Sequence, residues 1–592
     1  MKLIKKEGNN YMKNWNLNDF YSGFNEKYMS DLKKFEELTD LYIAHIKQEK
    51  PEPVKYIEGY LKFHEDMHVL ARTMGSYAML IMSTDVTNAE APLYMSKIQR
   101  IARKSTAEDV LFTRYLTTVD LNDLAKKSEL IEKYLFNLEL EQKEAKHLLS
   151  EKEEILYAKL RELASGGWSN LHSLTTANLP VQYRGKEITL SEVRNLAYEN
   201  DSSVRKDAFE AEIKSFSQIE DQVALALSNI KREVTVMNEL RGYSSALEKT
   251  LDQSKMTKET LDAMMSAMMD YRPHFEKYLQ AKAKYLGHSA NLPFYDLFAP
   301  VGKLEKTYTY EEAQELVKEA FYGYSKRLGD FAKKAFDKEW IDVYPKKGKR
   351  GGAFCSNQPQ LKQSRIMTNF TGSLSDVLTL AHELGHGYHG EVISSNSPLH
   401  WSYPMPLAET ASIFCETIVN NHLLSLITNP KERLSVLENS LQGDTQVIVD
   451  IMSRFIFETN LFSKTQGPVS KHEMKDMMVS AQKEAYLNGL DHNQLHPYMW
   501  LVKGHYYSAG LNFYNFPYAF GLLFGKGLYA QYLKNPASFL ASYDDLLELT
   551  TKTSVEACAK TMHIDVTKKD FWIDSLEQVK KDIDEVIELF QI

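Results

Sequence analysis

The feature that most constrains the fold of this chain is the segment His382-Glu383-Leu384-Gly385-His386, near its middle. Two histidines four residues apart lie on one face of an α-helix, where both imidazoles can bind a single metal ion. Glu383 is rotated by about 100° from its neighbours, so its carboxylate can reach a water molecule on that ion. The pattern is typical of the zinc helix of a metallopeptidase.

The residues around this segment also favour a helix. Either Ser373 or Ser375 can cap its N-terminus, and Asp376 suits the positive end of the helix dipole. Apolar residues recur at helical spacing beside the histidine face, at Val377, Leu380, Ala381, Leu384 and Tyr388. We therefore expect a helix that buries one side and presents its two histidines on another.

A zinc ion in a hydrolytic site usually has three protein ligands and leaves its fourth position to water. The best candidate for the third ligand is Glu409, at the first turn of a predicted helix that runs to about Leu426. An isolated glutamate there is more often only a partner of the helix dipole, but its separation from the histidine pair favours the ligand role. Glu416 lies seven residues later on the same face, where it can orient a ligating histidine.

Two further histidines compete for the ligand role. His389 lies three residues after His386, near the metal-binding face but displaced from it. We expect His389 to pack behind the ligands rather than to bind the ion. His400, beside Trp401 in a predicted loop, is typical of a surface or channel residue.

A basic, glycine-rich loop at 346–352 precedes two short predicted strands, at 353–355 and 365–370. Phosphate binding by this loop is weakly supported, because no helix N-terminus follows the glycines directly. A small sheet beside the zinc helix could instead pair its free edge with an extended peptide, which would place Gly352, Ala353 and Phe354 against the substrate. A plain structural hairpin explains the pattern equally well.

Hydrolysis of a peptide also needs hydrogen-bond donors that face the oxyanion of the tetrahedral intermediate. The segment 503–518 is rich in such groups, which include His505, Tyr507, Tyr514 and Tyr518. We expect Tyr514 and Tyr518 on the first turns of a helix that continues to about residue 529. Since aromatic clusters usually belong to a core or a wall, that simpler interpretation stays open.

Composition and charge exclude several other classes of function. The 592 residues carry a formal net charge of −9, which disfavours nucleic acid or an anionic membrane as the main partner. No stretch approaches the roughly 18 apolar residues of a membrane span, and residues 1–15 lack the apolar run of a secretory signal. The three scattered cysteines argue against a disulfide framework and favour a reducing compartment, so we expect a cytoplasmic protein.

Most of the remaining sequence has the period of amphipathic helices, with capping-box patterns that begin at Ser150 and Thr189. A break is expected at Gly166-Gly167, and the alternation at 181–188 predicts a short hairpin. We predict a helical N-terminal domain at 1–195 and a catalytic domain at 196–592.

Three segments together resemble the oligoendopeptidase F branch of the thimet oligopeptidase-like zinc metallopeptidases. They are residues 380–389, residues 408–412, and His505 followed by 513–521. Residues 15–21 also look like this branch, so the resemblance covers nearly the whole chain. It implies a mainly α fold, a large helical ellipsoid with a deep substrate channel and zinc at the channel floor. It further implies cytoplasmic cleavage of short peptides, because a narrow channel excludes folded proteins.

The resemblance also implies roles for the matching residues. The ligands of one Zn²⁺ ion would be His382, His386 and Glu409, and Glu383 would be the general base. His505, Tyr514 and Tyr518 would bind the substrate carbonyl or stabilise the oxyanion.

One position departs from the family pattern. In the thimet branch a further tyrosine follows three residues after the position of Tyr518, and here Gly521 stands in its place. The tyrosine that donates to the oxyanion is therefore open, with Tyr514, Tyr518 and Tyr507 as candidates in that order.

The predicted reaction is attack of a zinc-bound water on a peptide bond, with Glu383 taking a proton and passing it to the leaving amine. One alternative is a zinc carboxypeptidase, which would need a fixed cation for the substrate carboxylate. Another is a non-catalytic peptide-binding helical protein with a structural metal, whose fourth ligand could come only from His389. The oligomeric state stays open.

Overall fold

The computed structural model describes residues 13–49, 52–302 and 306–591. Within these ranges nearly all regular structure is helical, and strands form only two small sheets, which confirms the mainly α fold. Among these residues no helix is both long and apolar enough to cross a membrane. Residues 1–12, which form most of the segment predicted to lack a secretory signal, lie outside the described residues.

The helices of the N-terminal part are α1 (Glu26–Ile46), α2 (Pro53–Thr84), α3 (Glu90–Ala102), α4 (Thr106–Leu116), α5 (Leu121–Ala125), α6 (Glu129–Lys133), α7 (Leu135–Ala145), α8 (Glu151–Leu163) and α9 (Ser165–Ala177). The central helices are α10 (Leu190–Asn195), α11 (Ser202–Phe216), α12 (Glu220–Leu240), α13 (Ala246–Gln253), α14 (Lys258–Tyr285), α15 (Tyr310–Tyr324) and α16 (Lys326–Asp337).

The remaining helices carry the candidate site or surround it. They are α17 (Leu374–Ile393), α18 (Met405–Ala408), α19 (Thr410–Leu426), α20 (Pro430–Thr445), α21 (Ile451–Phe462), α22 (Lys471–Tyr486), α23 (Phe516–Lys534), α24 (Pro536–Leu549), α25 (Val555–Lys560) and α26 (Lys569–Leu589). A π-helical segment, Gln446–Asp450, joins α20 to α21.

The predicted hairpin is formed by β1 (Val181–Tyr183) and β2 (Lys186–Ile188), which pair antiparallel. The other sheet contains β3 (Ile341–Asp342), β4 (Phe354–Gln358) and β5 (Gln363–Met367), in the order β3-β5-β4. Strand β4 runs antiparallel to β5 with Cys355 opposite Ile366, and β3 runs parallel to β5. This sheet leads directly into α17, as the sequence predicted.

Local sequence signals located several helix starts correctly. Both predicted capping boxes are present, with Ser150 bonded to Glu153 and Thr189 to Glu192. The break expected at Gly166-Gly167 is wrong, because both glycines lie in the first turn of α9. The chain turns two residues before Gly166, at Ala164. A helix N-terminus tolerates glycine better than a helix interior, so the pair starts a helix rather than ending one.

Buried apolar residues form two main clusters. The first draws on residues 15–138 with Met367, and the second on residues from Leu179 to Val586. Along the chain, the first cluster ends at Leu138, apart from Met367, and the second begins at Leu179. Both positions precede residue 195, and the domain boundary predicted there stays a prediction. The candidate metal ligands lie on helices whose apolar faces belong to the second cluster.

Candidate active site

Helix α17 begins where the sequence predicted. Ser373, not Ser375, is its N-cap: the Ser373 hydroxyl accepts from the Asp376 N–H at 3.1 Å, and the Asp376 carboxylate accepts from the Ser373 N–H at 3.0 Å. The same carboxylate also accepts from the backbone of Thr371 and Gly372. Because the entry to the helix is fixed in this way, the histidines two turns later project in a defined direction.

Helices α17 and α19 pack in close contact at Gly385, between the two histidines. A Cβ atom at this position would lie 2.5 Å from the carbonyl oxygen of Ala411 and 2.6 Å from the Cα of Ser412. Any larger residue would push the helices apart, since real Cβ atoms do not approach so closely. The absence of a side chain at 385 therefore allows the start of α19 to approach the histidine face.

The three predicted ligand residues converge. Glu409, the residue before α19, places its Oε2 atom 3.2 Å from His382 Nε2 and 3.3 Å from His386 Nε2. In the described part of the chain these residues form the one group of histidine, cysteine or acidic side chains whose ligand atoms lie close enough to hold a metal ion. The spacing of the donor atoms suits one ion among them.

Two hydrogen bonds from neighbouring residues hold these donors in place. The Ser412 hydroxyl donates to Glu409 Oε2 at 2.7 Å. The Glu416 carboxylate lies 3.1 Å from His382 Nδ1, which leaves Nε2 of that ring turned towards the shared centre. This is the orienting contact expected for Glu416, and it favours the tautomer in which Nε2 can bind a cation.

The electrostatics of the group favour a positive charge at its centre. Burial by itself lowers the pKa of His382, but the carboxylates of Glu409 and Glu416 outweigh burial and raise the pKa to about 10. The reverse holds for Glu409, where burial is outweighed by the two imidazoles, and the pKa falls well below its usual range. Donors that attract a cation so strongly fit a divalent metal ion.

Glu383 lies beside these donors without joining them. Its side chain is 6% exposed, and within the described residues its Oε2 atom has no hydrogen-bond partner. Burial raises the pKa of this carboxyl, against the lowering effect of His382 and His386. A buried carboxylate without a partner is costly, so this oxygen is available to a group from outside the chain.

The small sheet contacts helix α17 through Asn357. The Asn357 side chain donates to the carbonyl oxygen of His386 at 3.0 Å. Strand β4 is an edge strand of its sheet, and Arg72 donates to the Asn357 carbonyl at 2.9 Å. Residues 352–356 are exposed or half-buried, so this part of the edge is accessible to an extended peptide.

The three residues predicted to bind substrate on this strand differ in their surroundings. Ala353 lines a cavity of about 860 Å³ together with His382 and Glu383. Gly352 is exposed at the start of the strand. The Phe354 ring packs towards Trp15, with 6.2 Å between ring centroids, so only its backbone is positioned to meet a peptide.

The cavity extends from the metal-binding residues along α19 towards α20 and α26. Besides the residues above, it is lined by Thr379, Glu416, Asp444, Lys526 and Asp582. Lys526 forms an ion pair with Asp444 at 3.0 Å. A cavity of this volume accommodates several side chains of a peptide.

His505 and the two tyrosines lie on and beside the start of α23. The Tyr514 and Tyr518 hydroxyls share a hydrogen bond of 2.8 Å, and His505 Nε2 lies 2.8 Å from the Asn515 amide nitrogen. Burial and nearby cations, first Arg454, lower the pKa of His505 to about 3, so the ring is neutral. Burial and the bond to Tyr514 raise the pKa of Tyr518, and the Glu409 charge adds to this rise.

The predicted position of Tyr514 on α23 is wrong. The helix begins at Phe516, and Tyr514 precedes it in a turn where Phe513 has a φ of 50°. Buried Glu458 stabilises this turn, because it accepts from the Phe513 N–H at 3.0 Å and pairs with Lys231 at 2.8 Å. The chain thus reaches Tyr514 from a fixed turn rather than from a helix.

Two other expectations differ from the structure, and a third agrees with it. Tyr507, a candidate for substrate binding, is fully buried and stacks on His172 with 3.6 Å between centroids, so a substrate has no access to it. His400, expected at a surface or channel, is buried against Tyr134. His389 is buried as expected; it stacks on Tyr403 and bonds to the Thr550 hydroxyl at 2.8 Å, away from the ligand atoms.

Sequence reasoning missed several contacts around the site. Ser412 lies in the matching segment 408–412, and its position three residues after Glu409 could have indicated the bond it makes. Asn357 and Tyr403 carry no local signal, because their contacts with His386 and His389 cross between separate elements. Only the folded arrangement reveals them.

Comparisons with known proteins agree with this geometry. Residues 195–578 match the family model described as Peptidase family M3, and residues 116–180 match one described as Oligopeptidase F. Oligopeptidase PepF of Bacillus subtilis is 25% identical over 479 residues, which cover 79% of this chain and 71% of that protein. These matches confirm the resemblance to the oligoendopeptidase F branch.

Solved structures show the same fold. A protein from Chlamydophila abortus matches with a TM-score of 0.82 at 20% identity over 98% of both chains. Oligoendopeptidase-F from Enterococcus faecium matches with a TM-score of 0.70 at 18% identity, over 96% of this chain and 99% of that one. The chain therefore belongs to peptidase family M3 and is a metalloendopeptidase.

Proposed function

We propose that this protein is a zinc-dependent endopeptidase that hydrolyses short oligopeptides. The observation that supports this function is the convergence of His382 Nε2, His386 Nε2 and Glu409 Oε2. Two imidazoles and one carboxylate are a common ligand set of catalytic zinc, which keeps a fourth position open. The carboxylate of Glu383 beside them, whose Oε2 atom has no hydrogen-bond partner within the described residues, fits a general base.

A zinc ion bound to these residues supplies a Lewis acid that polarises the scissile carbonyl and lowers the pKa of water. Glu383 accepts a proton from the attacking water and then delivers it to the leaving amine. Its raised pKa suits both steps, since a carboxyl whose pKa is closer to neutrality exchanges protons more readily. Glu416 keeps the His382 ring in the orientation that binds the ion.

His505 and the tyrosine pair donate hydrogen bonds to the substrate carbonyl as negative charge develops on its oxygen. Because the Asn515 amide donates to His505 Nε2, the proton of this neutral ring is on Nδ1 and is available to a substrate. Tyr514 and Tyr518 use one hydroxyl proton in their mutual bond, so the other proton remains to donate. Each such donor contributes about 3 kcal/mol to transition-state stabilisation.

The substrate backbone pairs with the accessible edge of β4 at Gly352, Ala353 and Phe354. This interaction uses backbone groups of the peptide, so selectivity for side chains at that position is broad. The neighbouring cavity beside His382 and Glu383 receives side chains from one half of the peptide.

The experiment that tests this function is digestion of a mixed library of short peptides, with cut sites mapped by mass spectrometry with and without chelator. Zinc-dependent cuts inside end-blocked peptides support the endopeptidase. Removal of single residues from free C-termini only would instead indicate a zinc carboxypeptidase. Bound zinc without any cleavage would favour the structural-metal alternative, against which the Thr550 bond of His389 already argues.

We also infer that the protein acts in the cytoplasm, and that its chain divides into an N-terminal helical domain at 1–195 and a catalytic domain at 196–592. The inference of compartment rests on its cysteines, since Cys355, Cys415 and Cys558 are all free thiols. Cell fractionation with an antibody to the protein tests the location.

A further inference from the structure

A second cavity, of about 560 Å³, shares no lining residue with the cavity beside the metal ligands. Its walls come from α7, α8, α12 and α13, and from the segment 509–512 that precedes Tyr514. It therefore lies between the N-terminal helices and the part of the chain that carries the oxyanion donors.

Cations without a carboxylate partner gather in this cavity. Arg161, Lys249 and Lys255 all line it, and within the described residues none of them forms an ion pair. The other two cations of the wall are neutralised: Lys143 pairs with Asp252 at 2.7 Å, and Arg241 pairs with Glu154 at 2.7 Å.

The carboxylates of the wall do not balance the three remaining cations. Asp252 is used by Lys143. Glu556 accepts from the Thr257 N–H at 2.8 Å and from the Thr260 hydroxyl at 2.7 Å. Glu556 and Glu144 form no ion pair within the described residues, so these two carboxylates stand against three cations; burial followed by repulsion from Asp252 also raises the pKa of Glu144.

The two lysines are held there at an electrostatic cost. Burial lowers the pKa of Lys249, and the nearby guanidinium groups of Arg241 and Arg161 lower it further. Burial also lowers the pKa of Lys255, with partial compensation from Glu144. A half-buried cluster of like charges in a protein of net charge −9 is stabilised when an anion binds among them.

A hydrogen bond connects this cavity to the catalytic region. Thr250, next to Lys249 on α13, donates to the backbone carbonyl of Asn512 at 3.0 Å, and the Asn512 side chain accepts from Lys231 at 2.8 Å. Tyr514 follows Asn512 by two residues, so their Cα atoms lie within about 7 Å of each other. The segment that leads to Tyr514 therefore also forms part of the wall of this cavity.

We propose that this cavity binds a carboxylate group through Lys249, Lys255 and Arg161, and that the group comes from the far end of a peptide substrate or from a free small carboxylate. The peptide source rests on the proposed function, whereas binding of a free carboxylate does not. A carboxypeptidase would need its cation among the residues around the metal ligands. Arg161, Lys249 and Lys255 line a separate cavity, so a peptide whose carboxylate they bind extends beyond the residues that lie next to the metal ligands.

The kinetic test compares quenched fluorescent peptides of one sequence that end in a free carboxylate or in an amide. The wild-type enzyme should bind the free acid with about tenfold lower KM and similar kcat. The variant Lys249→Met/Lys255→Met should lose this preference and still cleave the amide normally. Lys249→Arg should retain the preference, and Lys186→Met, at an exposed lysine outside the cavity, should match wild type.

A second arm identifies the source of the carboxylate without any hydrolysis. Citrate should raise the Tm of the wild-type protein but not that of the double-methionine variant. If the C-terminus of the peptide substrate occupies the cavity, citrate should raise KM for the free-acid peptide and leave KM for the amide peptide unchanged. If a free small carboxylate is the natural occupant, citrate should change kcat for both peptides. The proposal is overturned if neither the peptide preference nor the citrate shift depends on Lys249 and Lys255, even when the amide peptide is cleaved.

Discussion

Gly521 lies so close to Glu409 that a Cβ atom at position 521 would be only 2.6 Å from the Cβ of that glutamate. Helix α23 can therefore pack against the third ligand residue only because position 521 has no side chain. This contact gives a physical reason why a tyrosine, found there in the thimet branch, does not fit this chain. It also makes Gly521 a positioning residue for the metal site.

Gly521→Ala should displace the Glu409 carboxylate and lower kcat/KM by about 100-fold, because small misplacements of reacting groups are costly. Zinc affinity, measured by competition with a chelator, should fall in parallel. Gly75→Ala is the matched control, since a Cβ at this helical glycine of α2 meets nothing within 4 Å. That control should keep full activity and gain up to about 1 kcal/mol in stability.

Glu383→Gln should lower kcat by about 10³-fold while zinc stays bound, because the amide cannot accept a proton. Metal analysis together with hydrolysis of a fluorescent peptide measures both effects. Glu391→Gln changes a carboxylate on the same helix that pairs with Lys334, and it should leave kcat unaffected. Near-normal turnover by Glu383→Gln would refute the assigned base.

His505→Ala should lower kcat by about 10²-fold, the usual cost of one lost oxyanion donor. Since the pKa of His505 is about 3, the ring is neutral throughout the working range of pH. The acid limb of the kcat profile should therefore have the same midpoint in the variant and in wild type. A shift of that midpoint would show that His505 acts by titration instead.

Glu416→Gln should weaken zinc binding by 10- to 100-fold, roughly the effect of removing a carboxylate that orients a ligating histidine. The fold should be intact by circular dichroism, because Glu416 faces the cavity rather than the core. Activity should recover when zinc is added in excess. If added zinc does not restore activity, Glu416 has a role in the reaction itself.

Stability should fall as the pH falls from about 6.5 towards 4. Burial lowers the pKa of His389 to about 3 in the folded protein, below the ordinary 6.5 of the unfolded chain. The unfolded state then binds more protons over this range, so protonation favours unfolding. The loss at pH 4 is at most about 3 kcal/mol for this residue. Urea unfolding of wild type and His389→Gln should show a shallower pH dependence in the variant.

The sequence predicted those parts of the site that depend on local geometry. The histidine pair and Glu383 follow from helical spacing, and Glu409 from the start of the next helix. The cap was narrowed to Ser373 or Ser375, and only the structure decides for Ser373. Tyr507 and Tyr518 look alike in sequence, yet one is fully buried and the other faces the site region, because packing against His172 decides the difference. Contacts between distant elements, such as Asn357 with His386, leave no local pattern.

The close packing of α17 on α19 at Gly385 has a consequence for exchange of the ion. The donor atoms lie on or next to helices whose apolar faces belong to the main core, so we expect the protein to fold without a bound cation. Dialysis against a chelator should therefore yield a stable apoprotein, and cobalt or manganese could be introduced afterwards as a spectroscopic probe.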